Sequence, residues 1–388
     1  MGRKITYKSW TRTVVCSLIL LVGSVVLINI IVDAYGILRT DFSFQFQLPN
    51  MNFIKIKYLL HHKNKFDSFI FGSSRVENID QNKISGGRYY NMIYPLGIPQ
   101  EHLRNIRFLL NNGVSVKNVM IGIDEFSYQL DPEPRRADLL TQPYPAISGK
   151  KPQVFYGEYF VKLRRTFSQL GKYIRYNYTR RNDPAEVHYI YDIDGSGRIF
   201  CPSCDETIER SAKKRGRNGF TQAIMHFDGN KISDTIDAMR EIVSLAKQNN
   251  IKLTIFVNPM HKAAYLDTNL LKLALFKKEL ARIADYFDFS GLNSITTDSY
   301  YYYEPLHYRP LVGDMMLKVM FGAPNVAVPR DFGFLVTRGN VDAHLESQCL
   351  EIKRHRPELV LNEANTKFTD SCGALDDASR NFLHQPVN

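Results

Sequence analysis

The sequence contains little cysteine, proline or glycine for its length, and it has no internal repeat. Its 388 residues include 5 Cys, 17 Pro and 23 Gly. These counts exclude a small disulfide scaffold and a collagen-like or low-complexity chain. Hydrophobic residues make up 44% of the chain and charged residues 23%, which is typical of a globular protein with one to three domains.

Only one long hydrophobic run is present, at residues 13–32, and it contains no charged residue. At about 1.5 Å per residue, this run is long enough to cross the roughly 30 Å of a bilayer's hydrocarbon core. Basic residues precede it, and mixed charges follow it. The flanking charges are Arg3, Lys4, Lys8 and Arg12 before the run, and Asp33, Arg39 and Asp41 after it.

This charge distribution predicts a cytoplasmic N-terminus at residues 1–12, a transmembrane helix at 13–32 and export of the chain from about residue 33. A cleaved signal peptide is the alternative, but its apolar region would be shorter, and Asp33-Ala34-Tyr35 is a poor cleavage site. We therefore expect a single-pass protein of the cytoplasmic (inner) membrane, with its main domain in the periplasm or outside the cell.

The chain carries a formal net charge of +11, from 50 Lys and Arg against 39 Asp and Glu. Such an excess suggests nucleic acid, a membrane surface or an anionic polymer as the partner. The excess is local, because residues 150–217 hold 15 basic and 8 acidic residues. Since we expect this part to be exported, we predict lipid headgroups or an anionic envelope polymer as its partner, and no nucleic acid.

Four cysteines lie beyond the hydrophobic run, in a compartment that permits disulfides: Cys201, Cys204, Cys349 and Cys372. The Cys201-x-x-Cys204 pair has three interpretations: a local disulfide, half of a zinc site, or a thioredoxin-like site. No second such pair or His pair lies nearby, and the neighbouring Gly and Pro residues indicate a loop. The pattern favours a local disulfide and no metal.

Short apolar runs alternate with amphipathic segments along most of the chain, which predicts an α/β three-layer sandwich with a mostly parallel central sheet. The predicted strands are 68–71, 89–94, 119–123, 251–257 and 286–289, and the predicted helices are 100–110, 234–248 with Ser233 as its N-cap, and 270–284.

The alternation is interrupted at about 130–225, where a hairpin is predicted over 189–200, and it is lost again after about residue 324. We therefore predict one extracytoplasmic domain over 33–322 with an insertion at about 130–225, followed by a C-terminal extension over 323–388. Ligands of such sheets bind beyond the carboxyl ends of the strands.

Two short motifs point to nucleophilic catalysis. Gly72-Ser73-Ser74 follows the first predicted strand, so a serine hydroxyl would lie at the carboxyl edge of the sheet. Glu304-Pro-Leu-His307 supplies a histidine to take the serine proton and an acid to orient the ring. The alternatives are a phosphate-cradling or merely structural turn for the first motif and a core or surface histidine for the second.

Together these motifs resemble those of the SGNH (GDSL-like) hydrolase superfamily, and more closely its membrane-anchored extracytoplasmic branch of DltD-like and alginate-acetylation-like proteins. The resemblance covers roughly residues 60–125 and 250–322. It implies an SGNH/flavodoxin-like fold and a triad of Ser74, His307 and Glu304. It also implies an oxyanion hole in which the N–H groups of Ser74 and Gly97 take part, with Asp124 at the position of the usual Asn.

The resemblance further implies a serine esterase or O-acyltransferase that needs no cofactor. Its substrates would be acyl esters of an extracytoplasmic glycan or envelope polymer, and a membrane acyltransferase would be its partner. The candidate pocket residues are Ser73 and Arg75, beside the predicted nucleophile, and His261, which follows another strand end.

Asp124 departs from the family pattern, because an ionised carboxylate accepts hydrogen bonds and cannot donate one to an oxyanion. The loss of one such donor typically lowers the rate by about 10²–10³-fold. Either Asp124 is protonated, or another group serves as the donor, or the site is weak or inactive. The alternative hypothesis is a catalytically inactive protein of the same fold that binds or assembles an anionic envelope polymer.

Overall fold

A computed structural model describes residues 7–38, 47–179, 188–190, 198–200, 205–206, 208–209, 220, 227, 229–355, 363–370 and 372. The strands are β1 Ser68–Phe71, β2 Tyr89–Asn91, β3 Asn118–Ile123, β4 His188–Ile190, β5 Arg198–Phe200, β6 Lys252–Val257, β7 Tyr286–Asp288, β8 Tyr302–Glu304, β9 His307–Tyr308 and β10 Phe334–Val336.

The α-helices vary widely in length, and the 3-10 helices of the described residues lie at Ser74–Asn78, Gln81–Lys83 and Ser299–Tyr301. The α-helices are α1 Tyr7–Val32, α2 Met51–His61, α3 Pro99–Asn111, α4 Pro132–Arg135, α5 Pro145–Ser148, α6 Pro152–Phe160, α7 Leu163–Thr179, α8 Ile232–Gln248, α9 Lys262–Asp267, α10 Leu270–Ala281, α11 Pro310–Phe321, α12 Val341–His355 and α13 Glu363–Asp370.

A six-stranded sheet of order β10-β7-β6-β3-β1-β2 forms the centre of the fold. All its neighbouring pairs are parallel except β10 with β7. This confirms an α/β fold with a mostly parallel central sheet. Numbered by their order in the chain, the five parallel strands run 2-1-3-4-5, which is one of the common doubly wound orders.

Both faces of the sheet are buried, as expected for parallel strands covered on each side. Side chains alternate along a strand, so Phe69 and Phe71 of β1 belong to one hydrophobic cluster and Ile70 belongs to another. The first cluster includes buried residues of α3, α8 and α10, and the second includes residues of α11. A charged side chain at these strand positions would have to be buried.

The predicted strand positions agree with the structure to within a few residues, but the predicted N-cap of α8 is wrong. The helix begins at Ile232, with Lys231 as its N-cap, so Ser233 lies within the first turn. The backbone N–H of Lys231 donates to the Tyr128 carbonyl oxygen at 2.7 Å, while the Lys231 carbonyl oxygen accepts from the Thr235 N–H at 2.9 Å. A tertiary hydrogen bond thus fixes this boundary.

The segment after residue 322 continues the α/β architecture, although the sequence pattern predicts no further alternation there. Strand β10 pairs antiparallel with β7 at the sheet edge, and α12 and α13 follow it. Cys349 and Cys372 form a disulfide that joins α12 to the end of α13. The strand is hard to recognise from sequence because it is three residues long and two of them are exposed.

Within the predicted insertion, β4 and β5 pair antiparallel, which confirms the hairpin for the residues described. Cys201 and Cys204 lie outside the described residues, so their predicted disulfide stays a prediction. Helix α1 is 26 residues long and is the one described helix that is long and apolar enough to cross a membrane.

Candidate active site

The carboxyl end of β1 leads directly into the first half of the site. Gly72 and Ser73 follow the strand, and Ser74 opens a 3-10 helix whose first turn is capped by the Ser73 hydroxyl oxygen, which accepts the Arg75 N–H at 3.2 Å. Strand β1 has β2 on one side and β3 on the other, so successive strands are added on opposite sides of β1. Ligands of doubly wound sheets bind at such a point, where the strand order reverses.

The second half of the site comes from the tight connection between β8 and β9. Glu304 ends β8 and pairs with His307, the first residue of β9. The Glu304 carboxylate accepts the backbone N–H of Leu306 at 3.0 Å, which fixes the side chain inside the turn. The Pro305 carbonyl oxygen accepts the His261 N–H at 3.0 Å, so a neighbouring segment supports the same turn.

The two halves meet in a serine–histidine–glutamate relay. The Ser74 Oγ lies 2.7 Å from the His307 Nε2, and the His307 Nδ1 contacts the Glu304 Oε1. With the ring proton on Nδ1, the ring donates to Glu304 and accepts the Ser74 hydroxyl proton. The side chains of His307 and Glu304 are 26% and 29% exposed, so the relay is open to a substrate from solution.

The ring of His307 also sets the charge of its partner. Burial alone would raise the pKa of Glu304, but the hydrogen bond and charge of His307 and the N–H of Leu306 lower this pKa below its usual value. Glu304 is therefore a carboxylate at neutral pH and can stabilise a protonated His307.

A buried charge cluster lies beside the serine. The Arg75 guanidinium donates to both Glu125 oxygens, at 2.5 and 2.6 Å, and to the Asp124 Oδ1 at 3.1 Å. The Arg75 and Asp124 side chains are 2% and 0% exposed. Burial alone would lower the pKa of Arg75, but the charges of Glu125 and Asp124 outweigh this effect and raise the pKa above its usual value. The structure thus joins the turn after β1 to the turn after β3.

The Asp124 carboxylate acts as an acceptor in this structure. Its Oδ1 accepts from Arg75 and also from the Asn258 Nδ2 at 3.0 Å. Burial raises the pKa of Asp124, although Arg75 and Asn258 oppose this rise. Through its Oδ1, Asp124 therefore holds Arg75 and Asn258 in place.

Gly97 packs against the nucleophile turn, but its N–H is already used. A Cβ at this position would stand 2.5 Å from the Gly72 carbonyl oxygen, so only glycine fits. The Gly97 N–H donates to the Tyr94 carbonyl oxygen at 3.2 Å and closes a turn in which Leu96 has a φ of 53°. The N–H of Ser74, at the start of a helical turn, is of the kind that a helix leaves unpaired.

The three candidate pocket residues are buried. Ser73, Arg75 and His261 are each at most 1% exposed. The His261 Nδ1 accepts the Ala263 N–H at the start of α9, and its Nε2 lies 3.2 Å from the Ser299 Oγ. Burial lowers the pKa of His261 to about 4. Their surroundings indicate that they support the turns carrying the relay.

Sequence reasoning missed two residues of this site, Glu125 and Asn258. Glu125 is the second residue after β3 and contacts Arg75. Asn258 is the first residue after β6 and contacts Asp124. Asn258 also accepts the Tyr308 hydroxyl at 3.2 Å, which links the end of β6 to β9 beside His307. For Glu125 the available signal was its charge, opposite to that of Arg75 in the turn after the neighbouring strand.

Comparison of the chain with protein-family models, with curated proteins and with solved structures finds no match. Among the described residues, no group of three or more His, Cys, Asp or Glu side chains is placed to hold a metal ion. The geometry of the site therefore carries the functional argument alone.

Proposed function

We propose that this chain is a membrane-anchored SGNH-like serine esterase or O-acyltransferase that acts on acyl esters of an extracytoplasmic glycan or envelope polymer. One observation carries the proposal: the Ser74 Oγ lies 2.7 Å from the His307 Nε2, and Glu304 binds the other ring nitrogen. These residues are 233 positions apart in the chain, so only the fold brings serine and histidine together.

In the proposed reaction, the Ser74 Oγ attacks the acyl carbon while His307 takes the hydroxyl proton. Glu304 stabilises the resulting imidazolium, and the Ser74 N–H donates to the oxygen of the tetrahedral intermediate. Collapse of the intermediate breaks the ester C–O bond, and His307 gives its proton to the departing alcohol. Water or a sugar hydroxyl then attacks the acyl-Ser74, with His307 again acting as the base.

A second oxyanion donor requires a small rearrangement. The Gly97 N–H is the closest match to the family pattern, and it becomes available only when its bond to the Tyr94 carbonyl oxygen breaks. Binding of the acyl group would supply a replacement acceptor. Asp124 has no part in this proposal as a donor.

The proposed architecture is a three-layer, SGNH/flavodoxin-like sandwich, supported by the 2-1-3-4-5 order of the parallel strands and by burial of both sheet faces. Helix α1 would anchor the chain in the cytoplasmic membrane with its domain exported. The Cys349–Cys372 disulfide supports an oxidising compartment. A membrane acyltransferase is the expected partner of a transferase in this position.

Hydrolysis of p-nitrophenyl acetate by the purified full-length chain in detergent tests the proposal. We expect Ser74→Ala to lower the rate by about 10³-fold or more, because it removes the nucleophile. The matched control is Ser347→Ala, which changes an exposed serine on α12 and should leave the rate unchanged. A wild-type rate equal to that of Ser74→Ala would contradict the proposal.

The second candidate is a non-catalytic protein that binds an anionic envelope polymer. It is favoured by the acceptor role of Asp124 and the engaged N–H of Gly97, which together leave fewer oxyanion donors than the family pattern requires. Titration with alginate at low and high salt tests it. This candidate predicts that the protein binds alginate less tightly as the salt concentration rises. It also predicts that wild type and Ser74→Ala are equally inactive in ester hydrolysis.

A further inference from the structure

Asn29 is a polar residue inside the long hydrophobic run, three residues before its end at Val32. At about 1.5 Å per residue, its backbone lies roughly 5 Å inside the end of the run. Asn29 is nevertheless 5% exposed, whereas most of α1 is exposed. A side-chain amide at this depth of a membrane needs internal hydrogen-bond partners, because lipid chains offer none.

Two hydrogen-bond partners of Asn29 lie at the end of α6 and in the first turn of α7, and a third lies one turn earlier in α1. Its Nδ2 donates to the Phe160 carbonyl oxygen at 2.7 Å and to the Val25 carbonyl oxygen at 3.0 Å. Its Oδ1 accepts from the fully buried Thr166 hydroxyl. The Arg165 Nε donates to the Ala34 carbonyl oxygen at 3.3 Å. These bonds hold the start of α7 at the level where the hydrophobic run ends.

Helices α6 and α7 and the residues between them expose large hydrophobic side chains. Phe167, Leu170 and Ile174 are spaced three and four residues apart, so they share one face of α7, and they are 56%, 37% and 47% exposed. Val154 and Val161 add further exposed hydrophobic surface.

The charges of α7 are of one sign. The helix contains four basic residues and no acidic residue, and three of the basic residues are exposed: Arg164, Lys172 and Arg175. An apolar face beside exposed cationic side chains is the pattern of a helix that lies in the headgroup region of a bilayer.

We propose that α6 and α7 form a membrane-interface surface, with Phe167, Leu170 and Ile174 inserted between lipid headgroups and the basic side chains of α7 contacting headgroup phosphates. The occupant of this apolar face is the same bilayer that α1 crosses, because the Asn29 bonds place the start of α7 at the end of the span. The inference relies on the membrane anchor of the proposed function, and not on the chemistry of Ser74.

The chain enters the domain directly after the span, because Ala34 and Ile37 are buried and the Ala34 carbonyl oxygen accepts from Arg165. The domain would therefore stay against the bilayer.

Depth-dependent quenching of tryptophan fluorescence tests this surface in the full chain, which contains a single Trp, Trp10. In a Trp10→Phe background, Phe167→Trp and Leu170→Trp report on the proposed surface. The matched control is Phe334→Trp, at a residue of similar exposure (52%) on β10. Each variant is reconstituted into vesicles of phosphatidylethanolamine and phosphatidylglycerol, with and without bromine on the acyl chains near the headgroup.

We expect bromolipids to reduce the fluorescence of Phe167→Trp and Leu170→Trp about twofold or more, and to leave Phe334→Trp unchanged. If bromolipids leave the fluorescence of both α7 variants unchanged but quench Trp10 of the wild type, the surface is overturned and the anchor remains. An unquenched Trp10 would overturn both. Quenching of the α7 variants in a protein without esterase activity would leave the surface standing and remove only the proposed chemistry.

Discussion

Glu304 shows how one side chain sets the chemistry of its neighbour. Its carboxylate is held by the Leu306 N–H and by His307, so its pKa lies below the usual 4.5 even though burial alone would raise it. Since the folded-state pKa is depressed, its contribution to stability is present above pH 4.5 and is lost as the pH falls through the lower folded-state value. We therefore expect Glu304 to be ionised at neutral pH.

We therefore predict that Glu304→Gln lowers kcat for ester hydrolysis by about 10²–10⁴-fold, because a neutral amide cannot stabilise the imidazolium of His307. Glu304→Asp keeps the charge but shortens the side chain by one methylene, and it should retain a larger part of the activity. The measurement is kcat for the three proteins between pH 5 and pH 8. Equal kcat for wild type and Glu304→Gln would show that His307 works without this partner.

Arg75 is the second residue whose environment predicts a measurable effect. Arg75→Met would leave the buried carboxylates of Asp124 and Glu125 without their cation, so we expect the free energy of unfolding to fall by about 3–5 kcal/mol. The control is Arg88→Met, which removes an arginine that is 62% exposed and 3.7 Å from Asp67. That change should lower the free energy of unfolding by less than about 1 kcal/mol.

Denaturant unfolding in detergent measures both variants. A similar small effect for Arg75→Met and Arg88→Met would contradict the view that the cluster ties the turns after β1 and β3 together.

The sequence predicts the serine, histidine and glutamate of the site, but not the buried residues that support them. Ser74, Glu304 and His307 could be proposed because they occupy short motifs at strand ends, and the structure brings them together. The Arg75–Glu125 pair was not predicted because it depends on β1 and β3 being neighbours with Ile70 opposite Met120. Pairing and register arise from the packing of the whole sheet.

At the scale of elements, the turn that carries Gly97 packs closely against the backbone of Gly72, at the start of the turn that carries Ser74. Gly97→Ala would bring a Cβ to 2.5 Å from the Gly72 carbonyl oxygen and push this backbone away. We predict that Gly97→Ala raises the activation free energy of ester hydrolysis by more than it lowers the free energy of unfolding, since Ser74 is two residues from Gly72. The measurements are the hydrolysis rate and the Tm.

Gly157→Ala provides the control for this variant. Gly157 lies in α6, and a Cβ there meets nothing within 4 Å. It should leave activity unchanged and raise stability slightly, by up to about 1 kcal/mol. Full activity of Gly97→Ala would contradict the close packing described for the nucleophile turn.

Elements differed in how well the sequence predicted them. Buried parallel strands such as β1 and β3 appear as continuous apolar runs, so their positions were predicted to within one residue. Strand β10 and the start of α8 were not, because an exposed edge strand and a helix boundary depend on tertiary partners. For β10 the partner is β7, and for α8 it is the Tyr128 carbonyl oxygen.

At the scale of the whole molecule, the proposed orientation of α1 would put the domain outside the cytoplasm. We predict that alkaline phosphatase fused to the C-terminus is active in bacterial cells, because the basic residues before α1 keep the N-terminus inside. We also predict that the intact mass of the membrane-bound chain includes residues 1–33. An inactive fusion would contradict the orientation, and a soluble chain beginning near residue 34 would show that α1 is a cleaved signal.

The central claim is that Ser74 is a nucleophile activated by His307, and covalent labelling tests it most directly. The full-length protein is incubated with a fluorophosphonate probe, and the modified peptide is identified by mass spectrometry. We predict a single adduct on Ser74 that is abolished in Ser74→Ala and much slower to form in His307→Ala. An absence of labelling at Ser74 in folded wild-type protein would contradict the account.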